Sequence, residues 1–241
     1  MPYSTDLDLF TLRLPALRGR RPGPERNEQR HGKKERDLPT QTQKENSMKL
    51  FFDTETSGKA DFRKSATDPC QPRLVQLAAI LTTDDCEEVS AVNLVIRPEG
   101  FEIPQAVSDI HGITQDFAKN YGLPVKGALG IFLRMVQAAK TLHAYNAEFD
   151  KIIIAGELAR YPDFPVLFES AIIECEMKPM TDICRLPGKI GFKWPSLIEA
   201  HTHCFGKAPE ESHDALADVR TIIAVHKWRI SRPEPAKENL V

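Results

Sequence analysis

From residue 48 onward, apolar and polar positions follow two rhythms, one of period two and one near 3.6. Lys49-Leu50-Phe51-Phe52-Asp53 is a short apolar run that ends in an acid, and it predicts a strand. Residues 73–83 (RLVQLAAILTT) predict a second, mostly buried strand, and residues 89–96 alternate well enough for a third. The short polar connection Cys86-Glu87-Glu88 makes a hairpin of these two. Residues 104–109 and 114–119 predict short helices around the loop His111-Gly112-Ile113-Thr114. Helical spacing of Leu129, Phe132, Leu133 and Val136 predicts a helix over 125–140. A fourth strand over 141–145 leads into a helix over 147–160. A fifth strand is expected near 171–175, then helices over 195–205, with Pro195 at its first position, and 212–228, with Ser212 as its N-cap. Three strands followed by alternating helix and strand indicate an α/β fold with a mixed sheet.

The ends differ from this core. Residues 18–43 are rich in Arg, Lys, Glu, Gln and Pro, with almost no large apolar side chains. Such a segment cannot bury enough surface to offset its ordering entropy, so 1–47 is expected to be a disordered polar extension. Met48 stands immediately before the first strand. That favours an extension upstream of a later start over a basic arm that touches DNA. The domain is expected to span 48–229, with a flexible tail over 230–241.

Composition changes the picture little. The 241 residues carry a formal net charge of −2, so no global basic signal for nucleic acid exists. Five cysteines without a CxxC pair predict free thiols and a cytoplasmic setting. No run of 18 apolar residues is present, so no membrane span is expected. Cys175, Cys184, His201, His203 and Cys204 could be read as a zinc site. Their spacing matches no usual knuckle, and residues two apart on the predicted 195–205 helix point to different faces.

The acids carry more. Asp53 and Glu55, two apart at a strand end, point to the same side. Two carboxylates about 4 Å apart repel by roughly 4 kcal/mol at an effective dielectric near 20, and a bound divalent cation reverses that sign. Asp150 falls in the first turn of the helix after the fourth strand. His213 and Asp218 are five apart, about 140° on a regular helix, and share a face only if His213 lies in the loop or cap. Each has an ordinary structural alternative. DxE can be a solvated strand end. Asp150, or its neighbour Glu148, can stabilise a helix N-terminus by about 0.3–1 kcal/mol. Asp214 and Asp218 can form a solvated stripe, and His213 can be a surface histidine.

Taken together and in order, Asp53-Thr54-Glu55-Thr56, Asn146-Ala147-Glu148-Phe149-Asp150 and His213-Asp214-Ala215-Leu216-Ala217-Asp218 resemble the three motifs of the DEDDh 3′→5′ exonucleases. His111-Gly112-Ile113-Thr114 matches a further recurring element of that family. The likeness covers about residues 49–229 and is strongest to single-domain exonucleases similar to the epsilon proofreading subunit of bacterial replicase.

The resemblance implies a ribonuclease H-like fold, a five-stranded mixed sheet with helices on both faces. It implies that Asp53 bridges two Mg²⁺ or Mn²⁺ ions, Glu55 and Asp218 hold the first, and Asp150 holds the second. It gives His213 the role of general base, and places Thr56, His111, Asn146 and Phe149 at the terminal nucleotide. Phe149 as core and His111 as a satisfied turn residue are the structural alternatives. The family often carries histidine before Asn146, where this chain has Tyr145.

The expected reaction is release of nucleoside 5′-monophosphates from the 3′ end of single-stranded or frayed DNA by a two-metal-ion mechanism. A DNA polymerase or a replication or repair complex is the expected partner. An RNA-trimming exoribonuclease of the same fold, or a non-catalytic subunit that binds a polymerase, are the alternatives. The motif residues do not separate DNA from RNA.

Overall fold

Leu50, Phe51 and Phe52 are all fully buried, yet they face two different cores, and that division organises the fold. A computed structural model describes residues 47–232. The predicted extension, apart from Ser47, and the tail beyond residue 232 lie outside the described residues. Five strands, β1 (Lys49–Thr56), β2 (Leu74–Thr82), β3 (Glu88–Val95), β4 (Thr141–Ala144) and β5 (Ile173–Cys175), form one sheet in the order β3-β2-β1-β4-β5. β1 pairs antiparallel with β2, and β2 with β3. β4 joins β1 in parallel, and β5 joins β4 in parallel. This is the mixed sheet expected. The predicted 73–83 and 89–96 runs form the expected hairpin.

Strand alternation sends Leu50 and Phe52 into a core shared with α3 (Val125–Ala138) and α4 (Ala147–Leu158). Phe51 enters the opposite core, built with α5 (Met177–Cys184), α6 (Leu197–Phe205) and α7 (Ala215–Ile230). β2 is buried at every position, because both faces are covered; β3, at the edge, is largely exposed. The short helices α1 (Gln105–His111) and α2 (Gln115–Tyr121) follow β3, with Thr114 capping α2 through the Phe117 N–H. Gly156, inside α4, lets the 57–72 loop lie against the helix: a Cβ there would sit 2.5 Å from the Ala66 carbonyl oxygen.

Several boundaries differ from expectation. β1 continues to Thr56 instead of breaking after Asp53, with an irregularity in its pairing between Glu55 and Thr56. α6 starts at Leu197. Ser196 is its N-cap in a reciprocal box with Glu199, so Pro195 precedes the helix instead of opening it. α7 is capped by Asp214, not Ser212: the Asp214 carboxylate accepts from the N–H groups of Leu216 and Ala217. α5 was not foreseen. It is short, and it contains Pro179, which the first turn of a helix tolerates because that N–H has no intrahelical partner.

A second buried acid, Glu176, which follows β5, ties the sheet to α7. Its Oε1 accepts from Nδ1 of His143 on β4 and Nδ1 of His226 on α7, each at 2.9 Å, and its Oε2 from Arg229 at 2.9 Å. The second ring nitrogens are met by Thr141 Oγ1 at 3.0 Å and Lys49 Nζ at 3.5 Å. Burial pushes the Glu176 carboxyl upward. The hydrogen bonds from both histidines and the charges of His226 and Arg229 overcome this and hold it well below the usual range. His143, Glu176 and His226 are close enough to suggest a metal site. Arg229 and Lys49 already supply positive charge there, so a cation would add repulsion, and the cluster is read as a structural hub.

A carboxylate held low contributes stability that is full above its ordinary value of about 4.5 and is lost as pH falls through the lower folded value. Glu176→Gln is therefore expected to cost about 3–5 kcal/mol in urea unfolding at pH 7, because it removes the buried carboxylate that two buried imidazoles and the partly buried Arg229 all use. The loss should shrink towards pH 3. A variant as stable as the parent at pH 7 would remove the hub from this account.

Candidate active site

Asp53 and Glu55 leave β1 on the α7 side, as their spacing predicts, and meet Asp218 from the first turn of α7. Carboxylate oxygens of the three lie within 4.8 Å of one another. Asp150, in the first turn of α4, stands outside this trio. It is buried, and its Oδ1 accepts a 2.8 Å hydrogen bond from Thr54 Oγ1. Thr54 lies between Asp53 and Glu55 on the other face of β1, so a single strand places Asp53 and Glu55 and anchors Asp150.

Burial raises the Asp53 carboxyl well above its ordinary value, reinforced by the charges of Asp150, Asp218, Glu55 and Asp214. Burial, then Asp218, Asp150 and Asp214, pushes Glu55 up to about 8. Burial also raises Asp150 to about 7 against the opposing Thr54 hydrogen bond, and it raises Asp218. Among the described residues, no lysine or arginine acts on Asp53 or Glu55. Carboxylate oxygens in so tight a group fit a divalent cation. The cysteines and histidines considered for zinc form no metal-sized group among the described residues.

His213 lies in the loop before α7, exposed, with a left-handed backbone (φ 64°). Its N–H donates to Asp218 Oδ2 at 3.1 Å. The two residues therefore adjoin because His213 is outside the helix, the condition their spacing set. Asp214 is fixed as well: its Oδ2 accepts from Gln76 Nε2 at 3.1 Å, while Gln76 Oε1 accepts from the Ala215 N–H at 3.2 Å. Gln76 is opposite Glu55 in the β1–β2 register and fixes the start of α7 to the sheet. Sequence reasoning missed this pair. The signal was a lone glutamine inside the apolar run RLVQLAAILTT.

The remaining expected residues surround the same edge. His111 is buried, and its Nδ1 accepts from the Ile113 N–H at 3.1 Å. Nε2 then carries the proton; it lies near the Thr56 backbone but makes no hydrogen bond. Burial lowers the His111 pKa. Thr56 Oγ1 donates to the Gly58 carbonyl at 2.6 Å. Asn146 opens α4 without a side-chain capping bond. Phe149 is partly buried against the α3–α4 core, so it is neither wholly core nor wholly free.

A ribonuclease H-like sheet with acids gathered at the carboxyl end of its first strand defines a class of phosphodiester-cutting enzymes. The sequence pattern of the Exonuclease family matches residues 50–226, and the chain belongs to that family, as an exonuclease of the DEDDh type. An uncharacterized exonuclease, CP81, of Escherichia phage 186 is 25% identical over 181 residues, which is 73% of this chain and 85% of the relative. Exonuclease I of E. coli, solved with a dT13 oligonucleotide, is similar in fold, with a TM-score of 0.63 and 23% identity over 77% of this chain. Exonuclease I of Methylocaldum szegediense superposes with a TM-score of 0.59 and 25% identity, again over 77% of this chain. The chain spans 41% of the length of each of these two enzymes.

Raised carboxyls bind protons more tightly folded than unfolded, so without cations stability falls as pH rises from about 4.5 towards 8. In EDTA, Asp53→Asn is expected to melt higher than the parent at pH 8 and to flatten this decline, and Mg²⁺ should stabilise the parent more than the variant. Identical melting curves for the two proteins in EDTA would contradict the charge assignment.

Proposed function

We propose that this protein removes nucleoside 5′-monophosphates from the 3′ end of single-stranded or frayed DNA. The observation that carries the proposal is the trio Asp53, Glu55 and Asp218, clustered with no lysine or arginine acting on Asp53 among the described residues and adjoining His213. A fold neighbour that was solved holding a dT13 strand supports a nucleic-acid substrate.

Asp53, Glu55 and Asp218, with Asp150 beside them, would hold two Mg²⁺ or Mn²⁺ ions. Bound there, such ions lower the pKa of water and offset charge on the phosphate. His213 accepts the proton of the attacking water, since imidazole exchanges protons near neutrality and this one faces solvent. Its backbone bond to Asp218 keeps it beside the acids. His111 offers its buried Nε2–H, which has no hydrogen-bond partner among the described residues, to an oxygen of the terminal nucleotide. Thr56 and the amide of Asn146 border the same nucleotide, and Phe149 presents the part of its ring left outside the core.

With 5′-labelled oligomers and Mg²⁺, a ladder shortening from the 3′ end is expected, abolished by EDTA; parallel DNA and RNA strands decide the sugar. His213→Ala should lose about 10²–10⁴ in rate while binding is mostly kept. His213→Gly should be as inactive yet at least as stable as the parent, because glycine takes the left-handed backbone without strain. Full activity of Asp53→Ala, or internal cuts in place of a ladder, would overturn the proposal.

A further inference from the structure

Between α5 and α6 the chain makes a small, ordered projection. Pro187 and Phe192 form an isolated antiparallel bridge, the Gly188 N–H donates to the Gly191 carbonyl at 2.9 Å, and the Lys193 N–H donates to the Leu186 carbonyl at 3.0 Å. The turn requires its glycines: a Cβ at Gly188 would lie 3.0 Å from Lys193 N and 3.1 Å from Gly191 O, and Gly191 has φ 66°. Every residue from 187 to 194 is exposed. Among them Phe192 is 50% exposed, Trp194 66% and Ile190 96%. Large rings held in water by a well-formed turn mark a surface meant for a partner.

The charge of this projection identifies the partner. Residues 185–194 (RLPGKIGFKW) contain three basic residues and no acid, in a chain whose formal net charge is −2. Lys193 pairs with Glu199. Arg185 lies 6.0 Å over the Phe192 ring, and Lys189 sits at the tip. Flat rings interleaved with cations match a single strand, in which each base offers a face to stack and each phosphate a negative charge. The base of the projection is joined to the catalytic edge. The Tyr145 hydroxyl, 2.9 Å from the Pro195 carbonyl and 3.0 Å from that of Ser196, shares its proton between them. Tyr145 also immediately precedes Asn146 and the helix that carries Asp150.

We infer that the 185–194 projection is a platform for the single-stranded nucleic acid that leads to the scissile 3′ end, with bases stacking on Phe192 and Trp194 and phosphates meeting Arg185 and Lys189. The inference rests on the exonuclease reading and extends it from the terminal nucleotide to the strand behind it.

Trp194 reports on this directly, because the chain has one other tryptophan, Trp228. In a Trp228→Phe background with EDTA present, dT20 or rU20 should quench the Trp194 emission, and the two oligomers show whether DNA or RNA is preferred. Phe192→Ala with Trp194→Ala should weaken dT20 binding by about tenfold or more, and dT3 binding by far less. Lys189→Glu, an exposed change that leaves the fold intact by circular dichroism, should lower the salt slope of binding by roughly one. If the parent shortens dT20 from its 3′ end, yet neither oligomer quenches Trp194 and neither variant changes binding, the platform is wrong, the rings serve a protein partner, and the exonuclease reading stands. If the parent shortens nothing, that reading fails, and the quenching experiment still decides the platform.

Discussion

Carboxylates forced together at the end of one buried strand are the constraint around which this molecule is arranged. Asp53 and Glu55 follow an apolar run that commits β1 to the centre of the sheet, so neither acid can retreat into solvent without taking the strand with it. Asp218 is brought to them by α7 and Asp150 by α4, from opposite faces. Like charges at such separations cost several kcal/mol unless neutralised. The fold accepts this cost in its weakest place, the open edge where strands end and helices begin. It offsets the cost with apolar burial on both sides of the sheet, including Phe51 and Phe52, each worth roughly 1.5–3 kcal/mol.

A second buried acid on the α7 side of the sheet is handled in the opposite way. Glu176 is almost fully buried, but two imidazoles and a guanidinium surround it, and both oxygens of its carboxylate are used. Glu176 is consequently held as an anion by the protein alone, whereas Asp53 and Glu55 are left wanting protons or metal. The contrast explains why two groups of similar ligand geometry carry different roles. One has its charge balanced by His143, His226 and Arg229, and Asp53 and Glu55 have no lysine or arginine acting on them among the described residues. α7 joins them, with Asp218 in its first turn and His226 and Arg229 in its last two, so a rigid helix sets the distance between the reactive edge and the structural lock.

Positioning at the reactive edge depends on polar side chains with no chemistry of their own. Gln76 grips Asp214 and the Ala215 N–H, which fixes where α7 begins. Thr54 holds Asp150 from the far face of β1. The left-handed turn at His213 follows from Asp214 serving as the cap, since the residue before a cap is free of helical geometry. Together these contacts bring an exposed histidine and a half-buried acid into register although five residues separate them.

The amino-acid sequence by itself determined the strand and helix order, because apolar periodicity reflects which faces are covered and needs no knowledge of what covers them. It also marked the acids and histidine of the three motifs as candidates, since DxE at a strand end and HxAxxD at a helix start combine residue type with local geometry. The tertiary structure decided what depends on contacts between distant residues. Asp214, not Ser212, caps α7, because Gln76 waits for it 138 positions away. α5 exists because the second core covers Met177 and Met180, although its own sequence carries little helical signal. Glu176 became a buried hub only when β4 and α7 brought His143, His226 and Arg229 around it. Local pattern reports burial and backbone preference, whereas pairing of charges and hydrogen bonds is settled only by which strangers in sequence become neighbours in space.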